Sequence, residues 1–317
     1  MRARVLLTSP IHPTYQAALA QKVDVVVADN PSVEAIRRAA VDCDAMIVRA
    51  HLPQDIFEHA PRLKYLVRHG VGLDMIPMEK ATEHGVAVAN MPGGNTVAVT
   101  EYALAAIFHI RRGLASIDRT LREKGWNAAK PMSNGSIELA GSTCGIIGVG
   151  SIGRRLAAAL HALDVHVLGV TRRVETMPSF VEAVDQQTLL SRSDIVILAC
   201  PHNEQTHHLI NASTIAAMKP GAAIVNVARG PVIDTNALVS ALHSGQVGAA
   251  VLDVHEVAML TGSEPIFSCP NTLLTPHLAG LTATSLESLS RGSVETLLAL
   301  LAGERPSNVV NPEVFTR

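Results

Sequence analysis

The sequence predicts an α/β protein made of two doubly wound domains, each a parallel sheet wrapped by helices. Three observations predict it. Short β-branched runs alternate with amphipathic Ala/Leu-rich stretches almost from end to end, as parallel strands joined by crossover helices require. A length of 317 residues is about twice that of a typical domain. The strand-like runs also fall into two series, separated by a long apolar helix and a polar segment.

The first series places strands at 4–8, 23–27, 45–48, 65–68 and 87–89, with helices between them such as 32–40. The turn-forming Pro92-Gly-Gly-Asn95 then leads into 96–117, whose apolar residues recur at helical spacing and which is expected to carry the chain between domains. A polar, Pro/Gly/Ser-containing segment at 128–141 follows. The second series places strands at 143–147, 166–170, 195–198, 223–226, 249–252 and 272–274. A closing apolar helix at 283–302 is expected to return the chain to the first domain. The expected division is therefore 1–96 with 284–317 for a discontinuous domain, and 97–283 for a continuous one.

Composition narrows the function classes. Apolar residues make up 48% and charged residues 17%, a compact profile and not a disordered one. Lys+Arg 26 against Asp+Glu 28, with no long basic run, argues against a nucleic-acid partner. The N-terminus lacks the apolar h-region of a signal peptide, and no apolar segment approaches the roughly 18–20 residues that cross a bilayer. Cys43, Cys144, Cys200 and Cys269 lie far apart without a C-x-x-C pair, which reads as reduced, buried and cytoplasmic.

The strongest local signal is the β-run 143–147 followed by Gly148-Val-Gly150-Ser-Ile-Gly153 and a helical pattern. One glycine permits the tight turn, one lets backbone approach a pyrophosphate, and one lets helix and strand pack closely while the helix N-terminus faces the anion. Strand, helix and second strand follow in order, so a dinucleotide site is preferred over a structural turn. An acid usually closes the second strand to receive the ribose hydroxyls. Here Thr171 stands there, followed by Arg172 and Arg173, whose guanidinium forks suit a 2′-phosphate. NADP is the preferred cofactor, with NAD possible. The competing reading is an ordinary solvated loop. Arg154 and Arg155, within the helix, are weaker candidates.

Three later segments carry more chemistry: Ile224-Val-Asn-Val-Ala-Arg229-Gly-Pro-Val-Ile-Asp234, Gly248-Ala-Ala-Val-Leu-Asp253-Val-His-Glu256 and Asn271-Thr-Leu-Leu-Thr-Pro-His277-Leu-Ala-Gly280. With Arg68-His-Gly-Val-Gly-Leu-Asp74, Pro92-Gly-Gly-Asn95 and the closing Val309-Val-Asn-Pro-Glu313, the chain resembles the D-2-hydroxyacid dehydrogenase family over nearly its whole length, and within it the glyoxylate/hydroxypyruvate reductases. The resemblance implies a Rossmann dinucleotide-binding domain and a discontinuous flavodoxin-like substrate domain, with the active site in the cleft between them. Reducing a 2-keto acid needs a cation for carboxylate and carbonyl, a general acid for the developing alkoxide, and a hydride donor. By resemblance Arg229 binds and polarises the substrate and His277 is the general acid/base. The same resemblance implies substrate contacts from the Val71-Gly72 backbone amides, with Arg49 as a second cation. It implies cofactor contacts from Ser151, Ile152, Pro201, Thr206, Val227, Ala228, Asp253 and Gly280, with Asp253 turned toward the nicotinamide carboxamide. It also implies a homodimer formed through the region of 96–117.

One position departs from the family pattern. The family's Glu-Pro, nineteen residues before the catalytic His, is Ala258-Met259 here. Without that carboxylate His277 is expected to titrate near or below about 6.5. Glu256 is a candidate substitute, while Glu264-Pro265 has the wrong spacing. The departure leaves open a nucleotide-binding sensor or interaction protein with impaired catalysis, and a phosphite or formate dehydrogenase is a third reading. His202, His207 and His208 suggest a metal site, but the segment 201–206 resembles the family's cofactor-side loop and no metal is expected. The preferred keto acid is not fixed by sequence.

Overall fold

In the computed structural model, residues 2–257 and 260–316 are described, so Ala258 and Met259 lie outside the described residues. The chain forms two compact units, Met1–Asn95 with Leu281–Arg317, and Thr96–Gly280.

In the first unit β1 (Arg4–Leu7), β2 (Asp24–Val27), β3 (Ala45–Val48), β4 (Tyr65–Arg68) and β5 (Ala87–Ala89) form a parallel sheet in the order β2-β1-β3-β4-β5. Its central strands are continuous apolar runs because helices cover both faces. Leu6, Met46 and Leu66 point to Ile36 and Phe57 on one face. Val5, Ile47 and Val67 point to Leu289, Leu297 and Leu300 of the helix Ala283–Leu301 on the other. The helix Val33–Ala40 starts where Ser32 accepts from the Ala35 amide at 3.3 Å, a capping contact that fixes its first turn. The chain end then pairs with the free edge of β5: Val309 bridges Ala89 in antiparallel fashion.

In the second unit β6 (Thr143–Ile147), β7 (His166–Val170), β8 (Val181–Ala183), β9 (Ile195–Leu198), β10 (Ala222–Asn226), β11 (Val247–Leu252) and β12 (Thr272–Leu274) form a parallel sheet in the order β12-β11-β10-β9-β6-β7-β8. The order reverses between β6 and β9, the switch point at which doubly wound sheets open a crevice for ligands. Helix Thr96–Arg112 covers this sheet beside Ser151–His161, with Ala103, Ala106 and Ile107 in one cluster with Leu156, Ala157 and Leu160.

One expectation is corrected, and two features were not foreseen. The helix expected over 96–117 is broken at Gly113, which takes φ 57°, and a second helix runs Leu114–Lys124. The polar segment 128–141 holds part of the helix Trp126–Ala129 and the 3-10 turn Lys130–Gly135. Strand β8 was missed because it is an edge strand with only Val181 buried, which leaves no apolar run to read. Among the described residues, no helix is long and apolar enough to cross a membrane.

Candidate active site

The glycine turn sits at the β6/β9 switch point. Gly148 takes φ +102°, and a Cβ there would stand 2.6 Å from the carbonyl carbon of Ala199 and the amide nitrogen of Cys200. A Cβ on Gly153 would strike the Gly148 carbonyl, whereas one on Gly150 would meet open space. Gly150 caps the helix Ser151–His161 without any side-chain hydrogen bond, so the amides of its first turn, at Ser151, Ile152 and Gly153, are not occupied by a capping side chain. Bare backbone, open space over Gly150 and a helix N-terminus together fit a pyrophosphate. Thr171 follows β7, and the exposed Arg172 and Arg173 stand beyond it. The loop after β9 is ordered by its own polar groups, since Thr206 Oγ1 donates to the Pro201 carbonyl at 2.7 Å.

Three further loops leave adjacent strands at the same end of this sheet. Arg229 follows β10, Asp253 follows β11 and His277 follows β12. Buried Asn226 shapes the first loop, accepting from the Ala228 amide and donating to the Arg229 carbonyl, each at 3.0 Å, which places Val227 and Ala228 in the buried turn. The Asp253 amide donates to the Asn226 carbonyl at 3.1 Å, and the His277 amide donates to the Asp253 carbonyl at 2.7 Å. The three loops are thus coupled through backbone.

Asp253 is 1% exposed, and its carboxylate organises the His277 loop. Oδ1 accepts from Thr275 Oγ1 at 2.7 Å and from the Leu278 amide at 2.8 Å, while Oδ2 accepts from the Ala279 amide at 2.9 Å, one residue before Gly280. Because Thr275 Oγ1 donates to Asp253, it accepts from the Tyr102 hydroxyl at 2.5 Å. Burial pushes the Tyr102 phenol up, which keeps that donor protonated. His277 holds φ 55°, a left-handed conformation that costs a non-glycine residue on the order of 1–3 kcal/mol. The hydrogen bonds from Thr275, Leu278 and Ala279 to Asp253 order the loop on both sides of it. Tyr102, Thr275 and Asn226 were missed, since nothing in their spacing separates them from ordinary core and turn residues.

In the first unit, Arg49 follows β3, and burial lowers its pKa. Its amide donates to Thr8 Oγ1 at 2.8 Å and its guanidinium donates to the Pro10 carbonyl. Val71 and Gly72 lie in the turn after β4.

Glu256 does not take the place of the family carboxylate. Oε1 accepts from His208 Nε2 at 2.7 Å and Oε2 accepts from the Thr235 amide at 3.1 Å, so both oxygens are engaged elsewhere. Burial favours its neutral form, but the Thr235 and His208 hydrogen bonds prevail and leave its pKa below the usual value. The position of the missing carboxylate, Ala258, lies outside the described residues. His202 Nε2 lies 3.2 Å from His207 Nδ1, and His207 stacks on His208. Among the described residues, no group of three His, Cys, Asp or Glu could hold a metal. Glu264 instead caps its own loop through Thr261 and Gly262.

Residues 104–279 match the profile of the D-isomer specific 2-hydroxyacid dehydrogenase, NAD binding domain. The chain is also 36% identical to a glyoxylate reductase of Thermofilum pendens over 99% of this chain and 96% of that protein. The chain belongs to the D-isomer-specific 2-hydroxyacid dehydrogenases. The dehydrogenase is 34% identical to a D-3-phosphoglycerate dehydrogenase of Mycobacterium tuberculosis, matching 97% of this chain but 58% of that longer protein. Among solved structures it is similar to an NADPH-dependent glyoxylate/hydroxypyruvate reductase of Sinorhizobium meliloti in complex with NADP and malonate. That similarity has a TM-score of 0.87 and 26% identity over 98% of this chain and 97% of that one. The protein is therefore an oxidoreductase, with the Rossmann domain of that family around the glycine turn.

Proposed function

We propose that the enzyme reduces a small 2-keto acid, glyoxylate or hydroxypyruvate, to the 2-hydroxy acid, with NADPH the preferred reductant and NADH an alternative. The observation that carries this reading is the alignment of Arg229, Asp253 and His277 on the ends of β10, β11 and β12, in the same sheet whose switch point holds the glycine turn. The relatives named glyoxylate reductase support the substrate class. The NADP complex of the similar reductase, together with Arg172 and Arg173 after β7, supports the cofactor choice.

A dinucleotide held on the glycine turn and the first-turn amides at Ser151, Ile152 and Gly153 would supply hydride. Arg229 pairs its guanidinium with the substrate carboxylate and draws electron density from the carbonyl. His277 donates a proton to the carbonyl oxygen in reduction and takes it back in oxidation. Asp253 and Thr275 hold the His277 loop in its left-handed turn while this happens. In the first unit, the Val71 and Gly72 amides offer donors to an anion, with Arg49 as a further cation. The 97–283 segment is the dinucleotide-binding domain and 1–96 with 284–317 the substrate domain.

We also propose a homodimer in the cytoplasm. The helix Leu114–Lys124 buries no residue, and Leu114 and Trp126 are 60% and 67% exposed, an apolar surface suited to a second copy. All four cysteines are free and buried, and burial pushes Cys43 and Cys144 up to about 11 and about 12. Thiols so shielded are inert, which suits a reducing compartment. Following NADPH and NADH oxidation over a panel of 2-keto acids tests the activity: turnover of glyoxylate or hydroxypyruvate is expected, and cofactor binding without turnover of any keto acid refutes it.

A further inference from the structure

The turn after β4 shows how its amides are aimed. Four successive carbonyls are turned into the protein. Arg68 Nη1 donates to the His69 carbonyl at 2.7 Å and Arg68 Nε donates to the Gly72 carbonyl at 3.1 Å. Between them, the Met91 amide donates to the Gly70 carbonyl at 2.9 Å and Asn90 Nδ2 donates to the Val71 carbonyl at 2.7 Å. No peptide bond is cis, and a trans peptide points its C=O and N–H in opposite directions. Fixing the carbonyls of Gly70, Val71 and Gly72 therefore turns the amides of Val71, Gly72 and Leu73 the other way. Among the described residues none of these three amides donates to an acceptor. Such a run of unspent N–H groups is an anion nest.

Asn90 is itself held. Its carbonyl accepts from Asn308 Nδ2 at 2.7 Å and its amide donates to the Asn308 carbonyl at 3.3 Å. The chain end that brings Asn308 there is pinned to β5, since Asn311 Oδ1 accepts from the Val88 amide at 2.7 Å and Asn311 Nδ2 donates to the Val86 carbonyl at 2.9 Å. Asn311 is 3% exposed, so these bonds are shielded from water. The closing Val309-Val-Asn-Pro-Glu313 thus has a physical task that its position at the end of the sequence does not suggest.

We propose that Asn90 is a positioning residue for substrate binding: locked by Asn308, it rotates the Val71–Gly72 peptide so that the Gly72 amide joins its neighbours in receiving the carboxylate of a 2-keto acid. The inference rests on the proposed function. It acts through backbone, so it alters carboxylate affinity and leaves the dinucleotide site untouched.

The test uses the full-length enzyme with NADPH bound and oxamate, an unreactive 2-keto acid analogue, as calorimetric probe. Asn90→Asp keeps the shape but replaces the donor facing the Val71 carbonyl with an acceptor. Oxamate affinity and the KM for glyoxylate are expected to weaken by about tenfold or more, as for one misdirected charge-assisted hydrogen bond. NADPH affinity and kcat should stay within about twofold, because only binding common to ground and transition states is lost. Asn308→Ala, which frees the Asn90 backbone, should shift oxamate affinity in the same direction by less. It also carries the test should Asn90→Asp fail to fold. Unchanged oxamate affinity in folded variants overturns the inference alone, and so does a loss of NADPH affinity equal to that for oxamate. Wild-type enzyme that binds oxamate but turns over no keto acid contradicts the proposed function while the variants still read the nest. Wild-type enzyme that binds no oxamate overturns both.

Discussion

Asp253 carries the most structural consequence for a single residue, because one buried carboxylate gathers Thr275, Leu278 and Ala279 around His277. Asp253→Asn turns one acceptor into a donor facing another donor, and a misplacement of about 1 Å costs on the order of a hundredfold in rate. The expected outcome is a kcat loss of about ten- to a hundredfold in steady-state assays, with the fold retained by circular dichroism. Unaltered kcat would show that the loop does not need the carboxylate. Glu256 gives the opposite expectation. Its oxygens serve His208 and Thr235, so Glu256→Gln should leave the pH dependence of reduction where it is in the wild type. A shift of that limb toward lower pH would restore Glu256 as the partner of His277. Arg229→Lys should lose most turnover, since an ammonium does not reproduce the planar two-pronged contact. These roles were unequally legible. Arg229 and His277 stand in motifs, whereas Tyr102 and Thr275 matter only because folding brings residues 173 positions apart within 2.5 Å.

At the scale of elements, the strands read well because parallel strands covered on both faces are uninterrupted apolar runs, as at Ala45–Val48 and Ile195–Leu198. Reading failed where that cause was absent: at β8, on an edge, and at Gly113, where one left-handed residue ends a helix that the apolar spacing carries onward. The turn after β4 proposed as an anion nest could be pointed to in sequence through Val71 and Gly72 but not through Asn90 and Asn308, because its aim depends on a contact between residues 218 apart. Gly148→Ala tests the glycine turn. The added Cβ would meet backbone at 2.6 Å in a φ +102° conformation, and the expected cost is on the order of 3 kcal/mol with loss of NADPH binding. Ordinary cofactor affinity in that variant would contradict the fit. His69, between β4 and the turn, tests the packing of the Ala283–Leu301 helix. Its Nε2 lies 2.9 Å from Ser290 Oγ, and burial holds its pKa down to about 3. The unfolded chain therefore binds the proton first. The stability from neutral His69 is fully present above about pH 6.5 and is lost as pH falls toward 3, by up to about 1.4 kcal/mol per pH unit. Denaturation midpoints from pH 7 to 4 should fall more steeply for wild type than for His69→Gln, and parallel curves would contradict it.

The whole molecule belongs to the D-isomer-specific 2-hydroxyacid dehydrogenases, and that assignment sets the chemistry to be tested. The assignment was visible in sequence because its glycine turn and the Arg229, Asp253 and His277 segments keep their order and spacing along the chain. Cofactor choice is a finer matter, and the proposed preference for NADPH rests on two exposed arginines after β7. Replacing Arg172 and Arg173 by Ala should weaken NADPH by about tenfold or more while changing NADH little, since each charge-assisted contact to a 2′-phosphate contributes on the order of 1.5–3 kcal/mol. Equal losses for both cofactors would remove the 2′-phosphate from the account. The most direct test of the central claim is the rate of NADPH oxidation by the purified enzyme at neutral pH with glyoxylate and with hydroxypyruvate, wild type beside His277→Ala. The account predicts turnover of at least one of these acids by the wild type and a loss of at least about a hundredfold in the variant; no turnover by the wild type, or equal turnover by both proteins, would contradict it.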